Sequence, residues 1–161
     1  MWEVIMKFFI ILFLVLLCCF KNAKADEVNC LALNIYHEAR NQPTVGKLAV
    51  AQVTMNRVKD VRFPNTICGV VYQGFYFNNV PIKNKCQFSW WCDGKSDKPK
   101  DLQSWSYSLM LAKRMHEGFF DNIDVVEDAT HYHATYVTPY WVNRKRKIRT
   151  IADHVFYKWE K

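Results

Sequence analysis

Residues 31–58, LALNIYHEARNQPTVGKLAVAQVTMNRV, contain two helical patterns separated by a short break. In the first pattern, apolar residues recur at the spacing of one helical face, which predicts a helix over Glu27–Arg40. Asn41-Gln42-Pro43 ends this helix, because proline cannot continue a helix and restricts the residue before it. A second helix is predicted from Thr44 to about Val58. The apolar face of the first helix comprises Val28, Leu31, Ala32, Ile35 and Ala39.

The remainder of the chain adds one more long helix and then turns to strands. Helices followed by a small antiparallel strand-rich portion predict an α+β fold. The long helix should turn Leu102, Trp105, Leu109 and Ala112 inward. The other predicted elements are a short helix capped by Asn65 or Thr66, a strand at Cys86–Trp90 within the loop-rich residues 73–99, the long helix at Asp101–Glu117, and strands at Thr130–Val137, Ile148–Ile151 and His154–Tyr157.

Composition and charge narrow the class of protein. The chain has 161 residues, of which 50% are hydrophobic and 16% aromatic, so it supports one folded domain and excludes global disorder. Its 22 Lys and Arg exceed its 15 Asp and Glu, which gives a net charge of +7. This excess favours acidic surroundings, such as nucleic acid, an anionic membrane face or a negatively charged cell wall.

The amino terminus has the pattern of an export signal. Phe8–Phe20 is an unbroken apolar run that is shorter than the about 20 residues of a membrane-spanning helix. Ala23-Lys24-Ala25 follows as a cleavage site for a signal peptidase. We therefore predict a signal peptide over residues 1–25 and a mature domain over residues 26–161, with a retained membrane anchor as the alternative. We expect the exported protein to be a monomer. Its expected partner is an anionic cell wall or membrane surface, not nucleic acid.

Four cysteines remain in the mature domain, and an even number in an exported chain favours disulfide bonds. No C-x2-C pair is present, which makes a zinc site a poor explanation. Three pairings are open to four cysteines. Because the five residues between Cys86 and Cys92 form a loop that can close, we predict a Cys86–Cys92 bond and, by elimination, a Cys30–Cys68 bond.

Glu38 is the first candidate for chemistry. It lies near the carboxyl end of the first predicted helix, three positions after Ile35, which is predicted to be buried. The helix dipole opposes a negative charge there, and apolar surroundings would raise the carboxyl pKa further. General-acid cleavage of a glycosidic bond requires such a protonated acid. The alternative is an exposed glutamate paired with Arg40 or Lys47.

His131-Tyr132-His133 is the second candidate. Two histidines on one face of a strand can chelate a metal, and His37 could complete such a site. The residue at position 41 is Asn, so the zinc-binding H-E-x-x-H pattern is absent. The alternatives are a histidine hydrogen-bonded in the core and a histidine that lines a substrate cleft.

An aromatic segment, QFSWWCDG at residues 87–94, combines ring faces with amide and hydroxyl groups, as sugar-binding clefts do. Tyr140-Trp141 adds two further rings, although several of these aromatics must belong to the core. A basic stretch, Arg144–Lys147 with Arg149, indicates either contact with an anionic polymer or phospholipid, or a solvated loop.

The chain resembles the SleB/CwlJ-type cell wall hydrolases. Residues 31–58 look like the opening motif of that family, and HVFYK at residues 154–158 matches its terminal strand. The resemblance covers nearly all of the mature domain. The spaced segments FPNTICGVVYQ (63–73), CQFSWWCDGKSD (86–97) and ATHYHATYVTPYW (129–141) follow in the order of the family.

The resemblance implies a lysozyme-like α+β domain that cleaves the glycan strands of peptidoglycan without a cofactor or metal, with Glu38 as the catalytic acid. No second acid lies in a comparable motif, with Asp93 the nearest candidate, which favours a lytic transglycosylase. The rival classes are a zinc-dependent wall hydrolase built on His37, His131 and His133, and a non-catalytic wall-binding module. Substrate-binding roles are expected for Tyr36, Gln87, Ser89, His131, Tyr132 and Tyr140.

Overall fold

The computed structural model describes Trp2, Met6, Lys7 and residues 26–160. The predicted α+β class is confirmed. Apart from those three residues, the predicted signal peptide lies outside the described residues. The helices are α1 (26–39), α2 (Thr44–Lys59), α3 (Ile67–Val71) and α4 (Leu102–His116), with short 3-10 turns at Ser89–Cys92 and Val142–Arg144. The strands are β1 (Gly74–Phe77), β2 (Val80–Cys86), β3 (His131–Ala134), β4 (Arg146–Ile151) and β5 (His154–Lys158).

Helix α2 is the centre of the fold and is buried along most of its length. Leu48 and Ala51 of this helix pack in a core that also contains residues of α1, α3 and α4. Ala49 and Val53 pack on its other side against Phe156 of β5. Both α1 and the sheet that contains β5 therefore lie against α2.

Local sequence signals set the ends of α3 and α4. The Thr66 hydroxyl accepts a hydrogen bond of 3.1 Å from the backbone N–H of Gly69, and the Asp101 carboxylate accepts from two N–H groups of the first turn of α4. Helix α4 ends before Gly118, which adopts a φ of 79°.

The prediction that Leu102 faces inward is wrong, since this side chain is 76% exposed. Leu102 is the first residue of α4, and the buried residues of the helix begin only at Ser108. Within the first turn it is Trp105, not Leu102, that packs against the core. The buried residues of α4 are Ser108, Leu111, Ala112 and Met115.

Two antiparallel sheets complete the fold. Strands β1 and β2 form a hairpin whose turn contains Asn78 and Asn79, both with positive φ. Asparagine tolerates this left-handed conformation better than most residues do. The second sheet has the strand order β3-β5-β4, so β3 is an edge strand.

Both predicted disulfide bonds are present, Cys30–Cys68 and Cys86–Cys92. The predicted strand at Cys86–Trp90 is wrong beyond Cys86, which is the last residue of β2, and the second bond accounts for the change of direction. If residues 86–92 were all extended, the Cα atoms of Cys86 and Cys92 would lie about 20 Å apart, whereas they lie 6.1 Å apart. The chain instead leaves β2 at Cys86 and turns back through a 3-10 turn.

The basic stretch is partly neutralised within the fold. Glu127 lies 3.8 Å from Arg146 and 3.6 Å from Arg149, and Glu160 also pairs with Arg146.

None of the helices in the described part of the chain is both long and apolar enough to cross a membrane.

Candidate active site

Glu38 lies in the last turn of α1, and its side chain is half-buried. Its Oε2 atom accepts a hydrogen bond of 3.0 Å from the hydroxyl of Tyr132 on β3. Burial raises the pKa of the Glu38 carboxyl because it removes water from the charged form. The Tyr132 hydrogen bond and the positive charge of Arg57 oppose part of this increase. Glu38 therefore keeps its proton to a higher pH than a solvated glutamate does.

The two cations predicted as alternative partners of Glu38 have other contacts. The Arg40 guanidinium lies 5.3 Å from the centre of the Tyr36 ring, and the Lys47 ammonium lies 5.7 Å from the centre of the Tyr107 ring. Neither forms a salt bridge with Glu38 in the described structure. The side chains that shift the pKa of the Glu38 carboxyl are thus Tyr132 of β3 and Arg57 of α2.

Arg57 of α2 is a buried cation beside this carboxyl, with 5% of its surface exposed. Its Nε atom donates a hydrogen bond of 2.7 Å to the carbonyl oxygen of Thr130, immediately before β3. The guanidinium also lies over the rings of Phe63 and Phe88, at 5.3 and 5.1 Å. Among the described residues, its Nη1 atom has no hydrogen-bond partner. Burial lowers the pKa of Arg57, and the charge of Glu38 counteracts that decrease.

Sequence reasoning missed Arg57, although a signal for it exists. Val50, Val53, Thr54 and Arg57 follow the spacing of one helical face, and all four are buried. A cation that continues an otherwise buried helical stripe is rarely left without a partner. That pattern would have marked Arg57 as a candidate.

Tyr132 is on the inner face of β3, towards the core. Its ring packs against His154 and Phe156, with ring centres 5.1 and 5.6 Å away. Burial and the nearby Glu38 charge raise the pKa of the Tyr132 phenol well above its ordinary value, so it remains a hydrogen-bond donor. The fold thus brings together two of the predicted residues, Glu38 and Tyr132.

His131 and His133 are on the outer face of β3, away from the core. Both rings contact Trp141, at 5.4 and 5.7 Å between ring centres. His133 is also hydrogen-bonded through Nε2 to the hydroxyl of Tyr157 at 3.0 Å. Burial lowers the pKa of His131 to about 3, and the charges of Arg57, Lys145 and Arg62 add to that decrease. His131 therefore lies on the face of β3 opposite to the Tyr132–Glu38 contact.

Tyr36 and His37 tie the loop of residues 93–101 to α1. The buried Tyr36 hydroxyl accepts hydrogen bonds of 3.1 Å from the backbone N–H groups of Lys100 and Asp101. The His37 Nε2 atom donates to the carbonyl oxygen of Asp97 at 3.0 Å, because a carbonyl can only accept. Tyr36, predicted to bind substrate, therefore uses its hydroxyl to hold the 93–101 loop against α1.

Gln87, Ser89 and Tyr140 are the remaining residues with a predicted substrate-binding role. Trp90 stacks on His37 at 4.5 Å between ring centres and donates its indole N–H to Asn34 of α1. Gln87 and Ser89 precede it with exposed side chains. Tyr140 is 87% exposed, and the hydrogen bond to Glu38 in the described part of the chain comes from Tyr132 instead.

No group of three or more potential metal ligands forms a cluster in the described part of the chain. His37 contacts the 93–101 loop, whereas His131 and His133 pack against Trp141 on the outer face of β3. The three histidines named for a zinc site are thus engaged in separate contacts.

The fold and the site define the class of protein. A half-buried carboxylic acid at the end of α1 faces a phenol donor from a small sheet, within a lysozyme-like arrangement of helices and antiparallel strands. The sequence model of the Cell Wall Hydrolase family matches residues 41–157, and the chain belongs to this family. The matched residues include Arg57 and Tyr132 and begin three positions after Glu38.

Similar curated proteins are spore cortex-lytic enzymes. The chain is 27% identical over 134 residues to one from Bacillus cereus, which covers 83% of this chain and 44% of the relative. It is 26% identical over 132 residues to one from Bacillus subtilis strain 168, which covers 81% of this chain and 37% of the relative. The chain therefore spans less than half the length of these relatives.

Two solved structures share the fold. The catalytic domain of the Bacillus cereus SleB protein has a TM-score of 0.57 and 26% identity, and the match covers 82% of this chain and 89% of that domain. The catalytic domain of the germination-specific lytic transglycosylase SleB from Bacillus anthracis has a TM-score of 0.57 and 25% identity. That match covers 82% of this chain and 93% of the domain.

Proposed function

We propose that this domain cleaves the bond between N-acetylmuramic acid and N-acetylglucosamine in peptidoglycan, with Glu38 as the general acid. The observation that carries the proposal is the Glu38 carboxyl, half-buried and held by the Tyr132 hydroxyl at 3.0 Å. Burial raises its pKa, so a proton is available for the leaving oxygen. Family membership and the spore cortex-lytic relatives support peptidoglycan as the substrate.

Tyr132 and Arg57 have a role after the proton leaves. When Glu38 protonates the glycosidic oxygen, the carbon–oxygen bond breaks and Glu38 becomes a carboxylate. The Tyr132 hydroxyl and the Arg57 charge both favour that charged form. The acid is thus protonated before the step and stabilised as a base after it.

A single acid supports a lytic transglycosylase. The side chains that shift the pKa of Glu38 are Tyr132 and Arg57, and no second carboxylate is among them in the described structure. Asp93 belongs instead to the 93–101 loop, where it pairs with Lys95 at 3.6 Å. In a transglycosylase the 6-hydroxyl of the muramic residue forms the new bond to its own anomeric carbon, and its proton returns to Glu38. The name of the Bacillus anthracis relative agrees with this reaction.

Mass spectrometry of fragments released from purified peptidoglycan tests the proposal. We expect muramic ends in the 1,6-anhydro form, one water lighter than hydrolysis products. Ends with the full water mass would make the enzyme a hydrolase and would return attention to Asp93. Binding to peptidoglycan with no soluble fragments would indicate a wall-binding module, and loss of cleavage with chelator would indicate the zinc enzyme.

We further propose that residues 1–25 are a signal peptide and that residues 26–161 act outside the cytoplasm as a monomer. The apolar run Phe8–Phe20 and the Ala23-Lys24-Ala25 site support this proposal. The intact mass of the exported protein should correspond to a first residue of Asp26. The mass of the full chain would contradict cleavage, and sedimentation measures the oligomeric state.

A further inference from the structure

A cavity of about 510 Å³ opens beside the last turn of α1. Two of the residues that line it, Tyr36 and His37, directly precede Glu38 in the sequence. The side chains of Tyr36, His37 and Trp90 form its aromatic portion, and the 93–101 loop supplies charged side chains. Cavities of about 300–1,000 Å³ are typical of sites for small ligands. This cavity is large enough for a short peptide.

The wall of the cavity is fixed to the helix that carries the acid. Tyr36 and His37, the two residues before Glu38, hold the loop through three hydrogen bonds to Asp97, Lys100 and Asp101. His37 is itself stacked on Trp90. A group bound in the cavity would therefore lie at a defined position relative to the last turn of α1, which carries Glu38.

The charges in the cavity are only partly paired. Lys95 pairs with Asp93, and the Asp101 carboxylate caps α4 through Gln103 and Ser104. Three cations that line the cavity have no salt bridge to a described residue, and one carboxylate accepts no hydrogen bond from a described residue. The cations are Arg40, Lys98 and Lys100, and the carboxylate is Asp97.

We infer that this cavity binds the stem peptide that peptidoglycan carries on its muramic residue, an inference that rests on the proposed function. The stem peptide combines carboxylates with the free amine of a diamino acid. Lys98 and Lys100 match the carboxylates, Asp97 matches the amine, and the rings of Tyr36 and Trp90 match the aliphatic parts. The peptide is attached to the same sugar whose glycosidic bond Glu38 would protonate. It would therefore leave the glycan close to the side of the cavity that Tyr36 and His37 form.

Binding of a free peptide tests the inference without any catalytic step. The probe is L-alanyl-γ-D-glutamyl-meso-diaminopimelate, titrated by calorimetry into the mature protein and into the double variant Lys98→Ala/Lys100→Ala. We expect affinity to fall about tenfold to a hundredfold, since two charge-assisted contacts are removed. Lys85→Ala/Lys113→Ala, which removes two exposed lysines outside the cavity, should bind like the parent. No binding by the parent, or equal loss in both double variants, would overturn the inference.

A second titration examines Asp97. The parent should bind the peptide more tightly than the same peptide with an acetylated side-chain amine, and Asp97→Asn should not distinguish the two. Equal discrimination by parent and variant would remove Asp97 from the site. Because the loop bond to His37 uses the backbone of Asp97, this substitution leaves that anchor in place.

Activity assays separate this inference from the proposed function. The parent should cleave peptide-bearing glycan strands with a higher kcat/KM than strands stripped by an amidase. Lys98→Ala/Lys100→Ala should lose the preference and retain cleavage of stripped strands. Equal kcat/KM on both substrates refutes the stem-peptide site alone. Cleavage of neither substrate refutes the proposed function, and the titrations still decide whether the peptide binds.

Discussion

On the inner face of β3 the Tyr132 hydroxyl reaches Glu38, whereas on the outer face His131 and His133 pack against Trp141. The three residues are consecutive, and alternation along a strand sends neighbours to opposite faces. The histidines have the more reactive side chains, yet the tyrosine between them contacts the candidate acid. Position in the sheet, more than residue type, therefore selects the partner of Glu38.

The two faces also differ in how they respond to pH. Burial raises the pKa of the Glu38 carboxyl, and it lowers the pKa of His131 to about 3. In both cases burial favours the neutral form. The pH dependence of activity should consequently follow Glu38, with His131 neutral throughout the physiological range.

The largest effect is expected from Glu38→Gln, which keeps the size of the side chain but removes the proton for the leaving oxygen. Activity on peptidoglycan should fall by about 10²–10⁴, the usual worth of general acid catalysis. The rate of fragment release measures it. Glu117→Gln, at an exposed glutamate after α4, is the matched control and should be unaffected. A Glu38→Gln variant with parental activity would show that Glu38, the residue held by the inner face of β3, is not the general acid.

Tyr132→Phe and Tyr157→Phe compare the two faces directly, since each removes a hydroxyl bonded to a side chain. The Tyr132 hydroxyl lowers the pKa of Glu38, so its loss should move the alkaline limb of kcat/KM to higher pH. We expect activity to fall about tenfold, the scale of one hydrogen bond to a charged group. The pH profile of Tyr157→Phe should match that of the parent. Identical shifts in both variants would mean that the two faces are not independent.

His131 should make folding less favourable in acid. The unfolded chain takes up a proton near its ordinary pKa of 6.5, whereas the folded chain does so only at about 3. Stability is therefore lost as pH falls from 6.5 towards 3. His131→Phe removes this loss of stability in acid. The free energy of unfolding of the variant, measured in urea and compared with that of the parent, should therefore increase as pH falls from 7 to 4. A constant difference would contradict the neutral buried imidazole.

The smallest effect is the opposite pH dependence at Glu38. Its raised pKa means that the protonated carboxyl favours the folded chain, and this contribution is lost as pH rises through the folded pKa. Glu38→Gln should therefore gain stability relative to the parent as pH rises from 4 to 8, because burial outweighs the opposing charge of Arg57. Thermal unfolding across that range measures the difference. A gain that shrinks with pH would place the Glu38 pKa below its ordinary value.

Much of the fold is predictable from local sequence. Apolar spacing locates α1 and α2, Thr66 and Asp101 cap the next two helices, and Gly118 marks the end of α4. These signals are local because a helix closes its own hydrogen bonds within four residues. The strand predicted at Cys86–Trp90 is wrong because the chain turns back after Cys86, as the Cys86–Cys92 bond that the sequence also predicts requires.

By itself, the sequence determined that Glu38 lies near the end of a helix and that His131 and Tyr132 alternate on a strand, whereas it left three cysteine pairings open. Only the tertiary structure decided that Tyr132 donates to Glu38 and that Arg57 is buried beside it. It also assigned Tyr36 and His37 to the anchoring of the 93–101 loop. These contacts join residues 94, 60 and 64 positions apart, and their partners depend on how α1, α2 and the sheet pack together. Periodicity reports which face of an element is apolar, but it carries no information on which element that face will meet.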